Sequence, residues 1–176
     1  MVGSFWFRAL LVASTLTAGV VVACSGGSAS IPTCTGSSCA CSGSTCGCDG
    51  GASCNVQCAT GQSGCGATCN GVTNCQVACG DSCTVACKSG DTCDTTCGTN
   101  CNYNCDSAKA CTVTAGDNSN ISCKSSGSCN VTCTGSCAVD CTSVDNCNVT
   151  CGDAGTAPTT CGNYKICGDM QVDGGC

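Results

Sequence analysis

Cysteine is the residue through which this sequence could do chemistry, since 29 of its 176 residues are Cys. Thiolates bind soft metal ions, and thiols oxidise to disulfides in compartments outside the cytosol. The sequence contains no His, so it lacks the base of Ser-His-Asp and Cys-His catalytic devices. It also contains no Glu, which leaves Asp as its only carboxylate side chain. We therefore expect no enzyme activity and no cofactor.

The spacing of the possible ligands does not match a metal site. Zinc ligands typically come as Cys-x-x-Cys pairs, whereas the recurrent spacing here is Cys-x-x-x-Cys. Cysteines are closer in sequence in only two places, as Cys-x-Cys at residues 39 and 41 and at residues 46 and 48. Asp81, Asp117 and Asp153 recur near one turn and could hold calcium, but aspartate in a turn ordinarily bonds the backbone. We predict no metal site, and a thiol-based metal-binding protein stays as an alternative function.

Large apolar side chains are confined to one end of the chain. Every Leu, Phe and Trp lies before residue 17, and Val, Ala and Cys are the main apolar residues of the remainder. Burial of a Val contributes only about 1.5–3 kcal/mol, while ordering each residue costs about 1–2 kcal/mol of backbone entropy. The fold therefore needs covalent cross-links to be stable.

A five-residue unit with Cys at both ends, and often Val in the middle, repeats along the body of the chain. Units begin at residues 65, 75, 83, 93, 101, 111, 119, 129, 137 and 147, so steps of ten and eight alternate. Cys, Val and Cys occupy alternate positions and would share one face of a β-strand. The full period is eighteen residues, made of two strands, a three-residue turn and a five-residue turn.

Such a repeat predicts an all-β fold, a flattened parallel β-solenoid in which each 18-residue coil contributes two short strands. The turns are rich in Gly, Asp, Asn and Ser, as short turns require. We expect the disulfide-stapled solenoid over residues 37–161 and a C-terminal cap or tail over 162–176.

One coil lacks two cysteines and indicates how the others pair. Ala115 and Ser119 stand where Cys is expected, on either side of one three-residue turn. Because both are lost together, cysteines flanking this turn are predicted to bond, and the other cysteines of a coil are predicted to face each other. The predicted bonds are Cys79–Cys83, Cys97–Cys101, Cys133–Cys137, Cys75–Cys87, Cys93–Cys105, Cys111–Cys123, Cys129–Cys141, Cys58–Cys65 and Cys54–Cys69. A competing map joins each Cys to its copy eighteen residues later.

Threonine forms a second periodic feature, on the face opposite to the cysteines. Thr96, Thr114, Thr132 and Thr150 recur every eighteen residues and are predicted to stack in one outward column. A flat Thr column can match an ordered water lattice, so these residues are a possible binding face. Outward Thr is also simply a favourable strand residue.

The first residues have the features of an export signal. Arg8 precedes an uncharged run, Ala9–Val22, which is shorter than the roughly 20 residues that a membrane-spanning helix needs. The junction Val21-Val22-Ala23-Cys24 resembles the lipobox of bacterial lipoproteins. This resemblance implies a helical signal peptide over 1–23, lipid on the thiol of Cys24, and a flexible tether over 24–36. Removing Cys24 from the count leaves an even number of cysteines for disulfides.

The lipoprotein resemblance implies anchoring in a lipid bilayer through acylated Cys24, in the bacterial cell envelope and in an oxidising compartment. Ser25 after the cysteine favours the outer membrane. The repeat also resembles disulfide-rich β-solenoids, including insect antifreeze proteins, in architecture only. We predict a structural or adhesive lipoprotein of the cell surface or periplasm, with a ligand- or ice-binding module using the Thr column as an alternative. The net charge of −6 and the lack of a basic run argue against a nucleic-acid partner.

Overall fold

The computed structural model describes residues 31–58, 61–152 and 156–172, and in these ranges the regular structure is all β. Consecutive strands of each coil alternate between two sheets, and the strands of successive coils stack in parallel. The predicted flattened parallel β-solenoid is therefore confirmed. The predicted signal helix and Cys24 lie outside the described residues.

The two sheets, here called A and B, form the two walls of the solenoid. Sheet A contains, in spatial order, β1 (Thr33–Gly36), β4 (Ser53–Gln57), β6 (Asn74–Ala78), β8 (Thr92–Cys97), β10 (Ala110–Ala115), β12 (Ser128–Cys133) and β14 (Asn146–Cys151). Sheet B contains β15 (Thr159–Cys161), β16 (Tyr164–Cys167), β13 (Cys137–Asp140), β11 (Ser119–Lys124), β9 (Asn102–Asp106), β7 (Thr84–Lys88), β5 (Gly66–Asn70), β3 (Thr45–Asp49) and β2 (Cys39–Ser42).

The register between coils follows the predicted period. In sheet A, residues eighteen apart are direct neighbours along the column Cys75, Cys93, Cys111, Cys129 and Cys147. Sheet B has the equivalent column Cys69, Cys87, Cys105 and Cys123. The first coil is longer, because the turn after Cys58 has more residues, and Cys54 is the neighbour of Cys75.

The interior is narrow and consists mainly of Cys and Val. The middle positions of the strands are filled by small apolar side chains that are at most 3% exposed, such as Val77, Val85, Val113 and Val131. The larger Tyr103 is also fully buried, and burial raises the pKa of its hydroxyl. The alternation of buried and exposed residues along the strands confirms that Cys, Val and Cys share the inward face.

Glycine lets successive coils approach each other at the turns. The amide of Gly116 donates a hydrogen bond of 2.9 Å to the carbonyl oxygen of Gly98 in the preceding coil. A Cβ on Gly116 would lie 2.7 Å from the carbonyl carbon of Gly98, a contact that real Cβ atoms do not make. The neighbour is backbone and cannot move aside, so this turn requires Gly at position 116.

Antiparallel strands flank the parallel stack in both sheets at its first end and in sheet B at its last end. β1 pairs with β4 and β2 with β3 at one end, while β16 pairs with β13 and β15 with β16 at the other. β1 begins at Thr33, ahead of residue 37 where the sequence placed the start of the solenoid, and β16 falls in the segment assigned to the C-terminal cap. Within the described ranges, no helix is long and apolar enough to cross a membrane.

Candidate functional site

Disulfides cross the turns that join β4 to β5, β8 to β9 and β12 to β13. They are Cys58–Cys65, Cys97–Cys101 and Cys133–Cys137, with Cα atoms 6.1, 6.2 and 6.1 Å apart. These separations lie in the ordinary range of about 4.4–6.8 Å for a disulfide. The predicted map has the same three pairs.

The five-residue turns are bridged as well, which corrects the predicted map. The structure does not form the predicted pairs Cys54–Cys69, Cys75–Cys87, Cys93–Cys105, Cys111–Cys123 and Cys129–Cys141. It instead has Cys48–Cys54, Cys69–Cys75, Cys87–Cys93, Cys105–Cys111, Cys123–Cys129 and Cys141–Cys147, with Cα separations of 6.0–6.6 Å. Bonds between cysteines eighteen residues apart, which the competing map predicted, are not formed at these positions either.

The reason for the correction is that the chain climbs as it passes from one sheet to the other. Cys69 and Cys87 of sheet B consequently each lie close to two cysteines of sheet A. The Sγ atom of Cys87 bonds that of Cys93 in the next coil, but it also lies 4.0 Å from that of Cys75 in its own coil. We call the resulting column of sulfurs, from Cys48 to Cys147, the sulfur ladder.

The remaining described cysteines lie near the ends of the solenoid, except Cys79 and Cys83. Cys34–Cys39, Cys41–Cys46 and Cys151–Cys167 are bonded, and Cys161 is disulfide-bonded too. The closely spaced cysteines near the start are thus engaged in disulfides, which leaves them no thiolate for a metal. The predicted bond Cys79–Cys83 is not formed, and both sulfurs are free thiols. Their spacing is identical to that of bonded pairs, so no signal in the sequence distinguishes them.

Ala115 and Ser119 fill the place of a missing bridge. They lie beside Cys97 and Cys133 in sheet A and beside Cys137 in sheet B, and both are fully buried. The hydroxyl of Ser119 accepts a hydrogen bond of 3.1 Å from the backbone amide of Cys101. Ser119 is therefore hydrogen-bonded to the preceding coil, while no covalent bond joins positions 115 and 119.

Restoring the bridge with Ala115→Cys and Ser119→Cys should raise the free energy of unfolding. Closing so short a loop is worth about 2 kcal/mol by the chain-entropy relation, and the adjacent coils accept this bond at 6.1 and 6.2 Å. Denaturant unfolding with all disulfides intact measures the gain, and Ala115→Cys alone is the control that cannot form the bond. Two unbonded thiols in the double variant would contradict the prediction.

The predicted threonine column exists on the outer face of sheet A. Thr96, Thr114, Thr132 and Thr150 are direct neighbours on β8, β10, β12 and β14. Thr114 is half-buried and the other three are exposed. In the adjacent column, the side-chain amide of Asn148 donates a hydrogen bond of 3.1 Å to Asn130. The face is a flat, polar surface whose hydroxyl groups repeat at the strand spacing of about 4.8 Å.

The edge formed by the three-residue turns carries a shallow groove of about 750 Å³, lined by the turn glycines and by Asp81 and Asp117. Asp81 accepts a hydrogen bond of 2.7 Å from the amide of Thr99, which holds the pKa of its carboxyl below the usual range. Asp117 accepts one of 2.6 Å from the amide of Ser136. Both carboxylates thus bond the next turn, as turn aspartates usually do. Asp153 lies outside the described residues.

Comparison with protein-family models, curated proteins and solved structures finds no match for this chain. Any function must therefore be argued from the chemistry of its own residues.

Proposed function

We propose that the protein is a structural or adhesive lipoprotein of the bacterial cell envelope, without catalytic activity. The observation that carries the proposal is the covalent closure of successive coils across their turns, from Cys48–Cys54 to Cys141–Cys147. Such cross-linking makes the solenoid stiff although its side chains are small. A stiff solenoid suits a protein that acts as a spacer or that presents a polar face at the cell surface. The exposed residues are mostly small and polar, and the described residues include no His or Glu.

The anchor is proposed to be Cys24, acylated after removal of residues 1–23. The support is the sequence Val21-Val22-Ala23-Cys24 at the end of an uncharged run. Two or more acyl chains hold a protein stably at a bilayer, where one chain holds it only marginally. The many disulfides support an oxidising compartment, and we propose the outer membrane as the location.

The anchor is tested by expressing the full chain in a bacterium and separating membranes from soluble material. The wild type should sediment with membranes, and its N-terminal peptide should begin at Cys24 and carry the mass of diacylglycerol and a further acyl chain. Cys24→Ser should release the protein to the soluble fraction, whereas Ser28→Ala in the tether should not. An unmodified N-terminus, or equal fractionation of the Cys24→Ser variant and the wild type, would overturn the proposal.

A second candidate function is binding through the threonine column, and the strict register of the four residues is the observation that favours it. The test uses ice as the probe. If the face binds ordered water, the wild type should shape ice crystals, and Thr114→Lys with Thr132→Lys should abolish this effect.

The matched control for that experiment lies on sheet B. Asn102 and Asn120 are exposed direct neighbours, so Asn102→Lys with Asn120→Lys adds the same charge at the same spacing on the opposite wall. The control should keep the activity of the wild type. Ordinary ice growth with the wild type, or equal activity of the threonine double variant, would eliminate ice as the ligand of this face.

Metal sequestration through thiols is the alternative that the arrangement favours least. Sulfurs of three cysteines approach within 4.8 Å at several places, for example Cys54, Cys69 and Cys75. Cys69 and Cys75 are bonded to each other and Cys54 to Cys48, so this group offers no thiolate. Among the described cysteines, only Cys79 and Cys83 are free thiols.

A further inference from the structure

Cys79 and Cys83 flank the turn between β6 and β7 in positions that suit a disulfide. Cys79 follows Ala78, whose neighbour in the next coil is Thr96, so it corresponds to Cys97. The equivalent pairs in the two adjacent coils, Cys58–Cys65 and Cys97–Cys101, are bonded at Cα separations of 6.1 and 6.2 Å. The backbone of this coil stacks in register with both neighbours, yet the sulfurs of Cys79 and Cys83 are free thiols.

We infer that Cys79 and Cys83 form a thiol–disulfide exchange site, which changes between dithiol and disulfide by reaction with small thiols and small disulfides. Exposure distinguishes this pair from its equivalents in other coils. Cys79 is half-buried, whereas Cys97 and Cys133 at the same position are buried. Cys83 is 1% exposed. Cys79 is therefore the more accessible residue of the pair.

The two thiols also have different electrostatic surroundings. The thiol of Cys79 donates a hydrogen bond to the sulfur of Cys83, which lowers the pKa of Cys83 although burial opposes the shift. The same hydrogen bond, together with burial, raises the pKa of Cys79. The two sulfurs therefore lie in hydrogen-bonding contact, close enough for a bond to form between them on oxidation.

Reduction of the Cys79–Cys83 bridge begins at Cys79, because Cys79 is the more accessible residue. A small thiolate attacks the sulfur of Cys79, the Cys79–Cys83 bond breaks, and Cys83 leaves as a thiolate. A second small thiolate attacks the outer sulfur of the mixed disulfide, which releases Cys79 as a thiolate that then takes up a proton. Two electrons pass from two small thiols to the bridge, and one small disulfide forms. Oxidation is the reverse: Cys79 loses its proton and attacks a small disulfide, which releases one small thiolate, and the thiolate of Cys83 then attacks the sulfur of Cys79 and releases the second.

Backbone hydrogen bonds keep the coil in place during this change. The amide of Cys79 donates to Thr96 at 2.9 Å, and the amide of Ser82 donates to Thr99 at 2.8 Å. On the other side, the amide of Thr84 donates to Cys65 at 3.0 Å. The turn is therefore held by both neighbouring coils, and the exchange is reversible without unfolding.

The site is tested on the folded full chain in glutathione buffers of increasing reducing strength. Free thiols are alkylated at each point, the bonded ones are then reduced and alkylated with a heavier reagent, and peptides are weighed. Cys79–Cys83 should be half reduced in a buffer at least ten times less reducing than the buffer that half reduces Cys97–Cys101 or Cys133–Cys137. Equal titration of the three pairs would overturn the inference.

Two single variants separate the roles of the sulfurs. Cys83→Ser keeps the accessible sulfur and removes the resolving one, so with oxidised glutathione it should accumulate a stable mixed disulfide on Cys79. Cys79→Ser should react at least ten times more slowly, because Cys83 is buried. Circular dichroism checks that both variants keep the fold. Equal rates, or faster reaction of Cys79→Ser, would contradict the assigned roles.

Discussion

Replacing Cys105 and Cys111 together by alanine is expected to lower the free energy of unfolding by about 2–4 kcal/mol, the usual value of a native disulfide. Both residues are fully buried and are bonded to each other. The coil that follows already lacks a turn bridge at Ala115 and Ser119. The double variant therefore has no cross-link between Cys101 and Cys123, so β9, β10 and β11 should open locally.

Denaturant unfolding with the other disulfides intact gives the loss in free energy, and hydrogen exchange locates it. The matched control is Cys133→Ala with Cys137→Ser, which copies the Ala115 and Ser119 pair into a coil whose ladder bonds remain. Both variants should be less stable than the wild type, but only the first should lose amide protection throughout β9–β11. Unchanged protection of these strands in the first variant would mean that the sulfur ladder does not hold the coils.

The features that depend on periodicity could be predicted from the sequence. Strand positions, the inward face of Cys and Val, and the column containing Thr114 and Thr132 all follow from a repeat of eighteen residues. The long first coil after Cys58 could also be predicted from its turn length. A repeat determines these features because parallel stacking places equivalent residues directly above one another.

The partners of the ladder cysteines could not be predicted in the same way. The sulfur of Cys69 bonds that of Cys75 but lies only 3.6 Å from that of Cys54. The two candidate partners, Cys54 and Cys75, are direct neighbours one coil apart in sheet A, and a spacing in sequence does not tell which of them Cys69 meets at bonding distance. For the turn bridges, the prediction and the structure agree at Cys58–Cys65, Cys97–Cys101 and Cys133–Cys137 and differ at Cys79–Cys83.

The unbonded state of Cys79 and Cys83 was beyond prediction for a different reason. The unbonded pair is distinguished by the exposure of Cys79 and by a hydrogen bond between the two thiols, and neither is encoded in residue spacing. The proposed lipid anchor at Cys24 lies in residues 1–30, outside the described ranges. Its prediction depends on the resemblance at Cys24 and awaits mass analysis of the mature N-terminus.

We propose that disulfides stabilise this solenoid, because its interior is too small to do so by burial alone. The most direct test compares far-ultraviolet circular dichroism of the native protein with that of the fully reduced and alkylated chain, in the same buffer without denaturant. Loss of the β-sheet spectrum on reduction is the expected result, since Val and Ala burial does not offset the entropy of ordering the chain. An unchanged β-sheet spectrum, with cooperative unfolding of the reduced chain, would contradict the account.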